Sequence, residues 1–116
     1  MPPWVQARIV ERISKATEVF LCAVVIGELY YGAVKSSQAE KNLQRIKEYA
    51  SQNAILDVNA MTAWHYGNLK NELRKKGRPI PENDLWIAAM AMQHNLILIS
   101  RDKHFHEIEY MFVEEW

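Results

Sequence analysis

Apolar residues along this chain fall into short blocks, and the period within each block changes from one to the next. Val5, Ile9, Val10 and Ile13 recur at helical spacing behind Pro2 and Pro3, which a first helical turn tolerates. This predicts a helix over residues 2–14. Lys15 to Glu18 form a polar break. Val19-Phe20-Leu21-Cys22-Ala23 is β-prone throughout, the pattern of a strand buried on both faces. The apolar run continues through Val24-Val25-Ile26, and then the period becomes helical. Val25, Leu29, Gly32 and Ala33 share one helical face, so the reading is strand, brief turn, helix, with Glu28 in the first turn or two. Lys35-Ser36-Ser37 ends that helix. A second, more polar helix covers residues 39–51, with Leu43, Ile46 and Tyr49 facing inward.

Residues 54–58 read as a short strand. Asn59 can cap a helix over residues 60–76, whose buried stripe is Ala63, Tyr66, Leu69 and Leu73, and Gly77 stops it. Pro79 and Pro81 then make a stiff approach to a helix that is apolar on nearly every side from Leu85 onward, and such a helix is buried. Asn83 or Asp84 can accept the open N–H groups of its first turn. Asn95 breaks the chain. Residues 96–100 form the clearest strand of the sequence. Residues 101–105 form a turn with room for one short helical turn, and residues 110–114 form a last edge strand. Buried strands alternating with helices predict a three-layer α/β domain, its mainly parallel sheet flanked by helices, over the single span 1–116.

Composition narrows the class. Of 116 residues, 49% are hydrophobic, enough for a packed core and too many for disorder. The net charge is zero, which removes a broad electrostatic footprint for nucleic acid and leaves only local patches. A single cysteine, Cys22, allows no internal disulfide and no multi-cysteine zinc site, as suits a reducing cytoplasm. No signal peptide and no run of transmembrane length is read.

Candidate chemistry follows from topology. In open parallel sheets, ligands bind outside the carboxyl ends of the strands. Glu28 follows the first strand, Asp102 follows the strand ending at Ser100, and Asp84 opens the helix that feeds that strand. Three acids are thus expected on one rim, where mutual repulsion calls for a cation. Oxygen-only donors select a hard ion, Mg²⁺ or Mn²⁺. Each acid also has a plain structural role open to it: Glu28 at a helix start, Asp84 as a cap, Asp102 in a turn. His104 and His106 form an H-x-H next to Asp102, but two such rings on a helical turn point apart. Trp64 and Trp86 read as core. Tyr30 and Tyr31 are adjacent, so one of them faces outward. Arg74, Lys75, Lys76 and Arg78 make a basic run beside Asp84, either a solvated helix end or a contact for phosphates.

Three stretches carry a resemblance to a known family. Val24-Val25-Ile26-Gly27-Glu28-Leu29-Tyr30-Tyr31-Gly32 is similar to the segment bearing the second acid of PIN-domain ribonucleases, specifically the VapC-like toxins of bacterial toxin–antitoxin pairs. The stretch from Gly77-Arg78-Pro79-Ile80-Pro81 through Asp84-Leu85-Trp86-Ile87-Ala88-Ala89 resembles the segment with the third acid. Leu98-Ile99-Ser100-Arg101-Asp102-Lys103-His104-Phe105 resembles the segment with the fourth. The family's first strand, central in its sheet and ending in the first acid, has no counterpart here. The resemblance therefore describes a PIN-like domain lacking that strand, with weakened metal binding expected. It implies an Mg²⁺-dependent endoribonuclease with Glu28, Asp84 and Asp102 holding metal and Ser100 positioning a water or a ligand. It also implies a homodimer, a cognate antitoxin and structured RNA such as tRNA as substrate. The alternative is an inactive PIN-like module for dimerisation and antitoxin binding. A phosphorylatable receiver-like domain is a third reading, but its strand-end aspartate and rim lysine cannot be placed.

Overall fold

The first strand and the helix after it share one unbroken apolar run. In the computed structural model, which describes residues 20–100, 103–108 and 113–114, β1 (Phe20–Cys22) passes directly into α1 (Ala23–Val34), with Cys22 as the extended N-cap. The turn expected before Gly27 is absent. Periodicity cannot separate a buried strand from a buried helix in a run such as Val24-Val25-Ile26. The helix satisfies its own backbone groups there, and it buries Ile26 and Ala33.

Lys35 closes α1 by donating its N–H to the Tyr31 carbonyl at 3.3 Å, and the Ser36 N–H donates to the Ala33 carbonyl at 3.1 Å. The Ser36 hydroxyl donates to the Ala33 carbonyl at 2.7 Å and accepts from the Asn42 amide at 3.0 Å. These bonds seat α2 (Ala39–Ser51) against α1, and its bounds are those the pattern predicts. Leu43, Ile46 and Tyr49 are half-buried on α2, and burial pushes the Tyr49 phenol above its ordinary pKa. β2 (Ala54–Leu56) lies parallel to β1, in register Phe20↔Ala54, Leu21↔Ile55, Cys22↔Leu56. These elements belong to the first of two units into which the chain divides, and the division falls after Asp57.

The second unit begins at Val58. Asn59 caps α3 (Ala60–Lys75) in a reciprocal box. Its Oδ1 accepts from the N–H groups of Met61 and Thr62 at 3.0 and 3.1 Å, and its own N–H donates to the Thr62 hydroxyl at 3.1 Å. The buried face of α3 is Thr62, Leu69 and Leu73. Thr62 replaces the expected Ala63, which is exposed, and Tyr66 is only half-buried. A threonine can be wholly enclosed here because Asn59 and Gln93 satisfy its hydroxyl. Trp64 is also corrected: it is 60% exposed rather than core. Gly77, at φ 67°, takes the left-handed turn that ends the helix, and the Arg78 N–H reaches the Leu73 carbonyl at 3.0 Å.

α4 (Glu82–Gln93) packs along α3 and buries Leu85, Ile87, Ala88, Ala89, Met90 and Ala91, as its near-uniform apolarity predicts. Asn95, at φ 54°, breaks the chain where expected. β3 is confined to Leu98–Ile99 and pairs in parallel with β4 (Val113–Glu114), in register Leu98↔Val113, Ile99↔Glu114. Between them a 3₁₀ turn, Lys103–Glu107, lies on α4, with Phe105 and Ile108 buried. The described strands thus form two two-stranded parallel sheets, one in each unit. The helix expected over residues 2–14 lies outside the described residues, as does most of the segment expected as the last strand.

Candidate active site

Asp84 owes its position to two prolines. Pro79 and Pro81 fix φ on the approach to α4, and Pro81 is itself the N-cap, at φ −56° and ψ 149°. The helix therefore starts at Glu82, and no side chain makes a capping bond. Neither Asn83 nor Asp84 acts as the cap. Asp84 instead stands within the first turn, where the helix dipole favours a negative charge. Its Oδ2 lies 3.2 Å from Nδ1 of His104, the second residue of the 3₁₀ turn. The Asp84 side chain is 15% exposed and that of His104 50%. The chain leaving β3 thus returns past the N-terminus of α4.

A second link ties the same two segments. Arg78, just before the proline turn, donates to Glu107 at the end of the 3₁₀ turn at 2.6 Å. That hydrogen bond holds the guanidinium still further above its usual pKa. Phe105, between His104 and Glu107 in the chain, and Ile108, just after Glu107, are both buried.

On the other side of the α4 start, Glu82 faces α3. Lys70 donates to Glu82 at 2.6 Å and to the Tyr66 hydroxyl at 3.2 Å, and the Tyr66 hydroxyl also donates to Glu82. The Lys70 hydrogen bond, then that from Tyr66, holds the Glu82 carboxyl below the usual carboxylate range, and Glu82 in turn holds Lys70 above the ordinary lysine value. The Tyr66 ring stacks on Trp86 at 4.0 Å with 9° between planes. Trp86 is half-buried, closer to its expected core role than Trp64 is.

The other expected site residues fall as follows. Glu28 sits in the second turn of α1, in the first unit, and is exposed. Ser100 follows β3, is half-buried, and donates its N–H to the Glu114 carbonyl at 3.0 Å. Asp102 lies outside the described residues. Of the basic run, Lys76 pairs with Glu72 at 3.6 Å and Arg78 with Glu107, so part of it is engaged within the protein. Tyr31 is 61% exposed, which makes it the outward member of the tyrosine pair. His104 and His106 do not act as a pair: His104 turns to Asp84 and His106 is exposed. Among the described residues no three His, Cys, Asp or Glu side chains gather to hold a metal. The His104–Asp84 contact, like the Arg78–Glu107 and Glu82–Lys70 links, is a feature that sequence spacing did not show. His104 and Asp84 are 20 positions apart, and only the fold of the 3₁₀ turn onto α4 joins them.

The donor chemistry of Glu28, Asp84 and Asp102 is carboxylate oxygen alone, which fits a hard divalent cation and excludes a thiolate site. No helix among the described residues is long and apolar enough to cross a membrane.

The PIN domain family model matches residues 5–109. Ribonuclease VapC2 of Haemophilus influenzae is 38% identical over 104 residues, 89% of this chain and 79% of the relative. The tRNA(fMet)-specific endonuclease VapC of Shigella flexneri is 34% identical over 97 residues, 83% of this chain and 74% of that one. Among solved structures, VapBC-1 from nontypeable Haemophilus influenzae superposes with a TM-score of 0.84 at 33% identity, covering 93% of this chain and 84% of its own. The expected PIN-like α/β fold with parallel strands is therefore present. The match spans most of the chain, at an identity that carries homology as well as fold, and the chain belongs to the PIN domain family, among its VapC ribonucleases.

Proposed function

We propose that this chain is a metal-dependent endoribonuclease, the toxin component of a VapBC-type toxin–antitoxin pair. PIN ribonucleases generally use a divalent metal. The observation that carries the reading to particular residues is Asp84. It is a partly buried carboxylate at the dipole-favoured start of a rigidly approached helix, with one oxygen anchored by His104. Glu28, Asp84 and Asp102 would hold Mg²⁺ or Mn²⁺ through hard carboxylate oxygens. When bound, the ion supplies an activated water and neutralises charge on the phosphate. Ser100 would orient the water or a phosphate oxygen. Arg74 and Lys75, exposed at the end of α3, would meet flanking phosphates of the RNA.

The relatives' names supply the partners. An RNA such as a tRNA would be the substrate and a cognate antitoxin would cover the acidic residues. Independently of those names, the working form would be a homodimer in the cytoplasm. The test is RNA cleavage in Mg²⁺ by the native chain and by Asp84→Asn. Loss of a carboxylate ligand should lower the rate by about 100-fold or more, since the ion's stabilisation is worth several kcal/mol. Equal rates in the two proteins would refute the site assignment. Antitoxin binding without any cleavage would favour the inactive-module reading instead.

A further inference from the structure

Asp84 and His104 meet across a joint that is braced at both ends. The 3₁₀ turn carrying His104 is fixed by buried Phe105 and Ile108, and by the Arg78–Glu107 bond at 2.6 Å. Opposite it, the start of α4 is fixed by Pro81, by Glu82 on Lys70 and Tyr66, and by buried Leu85. His104 therefore approaches Asp84 from a rigid support. Its Nδ1 meets one carboxylate oxygen, Oδ2, at 3.2 Å. A carboxylate has two oxygens, and a donor on one of them sets the direction of the other.

We infer that His104 is a positioning residue for the metal site: its Nδ1–H donates to Oδ2 of Asp84 and turns Oδ1 towards the cation. This rests on the proposed metal site. Outer partners of this kind fix the orientation of a ligand and set its basicity. The charged side chains nearest to Asp84 in sequence have other partners, which supports the assignment. Glu82, the other carboxylate of the first turn, is engaged by Lys70 and Tyr66, and Arg78 is engaged by Glu107. Among the described residues, His104 is the side chain in hydrogen-bond contact with Asp84. His104 also stands two positions after Asp102 in the sequence.

The experiment is an Mn²⁺ titration of the native chain and of Asp84→Asn, His104→Leu and His104→Asn, reading free Mn²⁺ by electron paramagnetic resonance, with thermal melts alongside. Asparagine can place an amide donor near the position of Nδ1, and leucine cannot. His104→Leu should bind Mn²⁺ about 10-fold more weakly, and His104→Asn should recover most of that loss. Native-like affinity in His104→Leu, or equal loss in both His104 variants, would overturn the inference while leaving the metal site standing. Native-like affinity in Asp84→Asn would overturn the metal site and the inference together.

Discussion

At the scale of single residues, the chain shows how a polar group earns a buried place. Thr62 is fully enclosed because its hydroxyl serves both the α3 capping box and Gln93. Asn59→Ala removes the acceptor for two N–H groups and should cost about 1 kcal/mol. Thr62→Val keeps the volume and strands the Asn59 N–H, with an expected cost of about 1–3 kcal/mol. Chemical denaturation of both variants checks the two values. Trp64 predicts the reverse. At 60% exposure its replacement by alanine should change stability by no more than about 0.5 kcal/mol. A core tryptophan would cost about 3–5 kcal/mol, so the same denaturation series separates the two placements. Sequence pattern mistook Trp64 and Ala63 for inward residues because it assigned the stripe by apolarity. The face actually buried passes through a threonine whose cap bonds no hydropathy pattern registers.

At the scale of elements, α3 and α4 carry the second unit. Leu69 and Leu73 on α3 are each 2% exposed, as are Leu85 and Met90 on α4. Leu73→Ala should destabilise by about 2–5 kcal/mol, read as a lowered midpoint in urea. The polar clasp of the same pair is pH-dependent. Glu82 has its folded pKa held below the ordinary value of 4.5 by Lys70 and then Tyr66, so its contribution is present above that value. It fades as pH falls through the lower folded pKa. Lys70 is raised above 10.5, and its contribution fades as pH rises beyond that. Thermal melts of the native chain and Glu82→Gln should differ most near neutrality and converge in acid. A gap that persists at low pH would contradict the clasp. The group is exposed, so the effect is small. The existence and order of α1 to α4 were legible from periodicity, and α2 was legible to its bounds. Helix starts were less so. At α1 an apolar run gave no sign of where strand becomes helix. At α4 a proline that cannot donate a backbone hydrogen bond took the cap position in place of the polar residues after it.

At the scale of the whole molecule, family membership was legible because three motif stretches occur in order along the chain. The pairing of Asp84 with His104 was not, since it depends on how the 3₁₀ turn folds back onto α4. In the proposed reaction Glu28, Asp84 and Asp102 would hold an ion that brings water to an RNA phosphodiester. The most direct test is RNA cleavage in ¹⁸O-labelled water with Mg²⁺, in parallel with chelator, followed by mass spectrometry of the fragment ends. Cleavage is expected only with the ion present, with one ¹⁸O atom in each newly formed terminal phosphate. Cleavage that persists in chelator, or ends carrying an unlabelled cyclic phosphate from attack by the neighbouring 2′-hydroxyl, would contradict the proposed reaction.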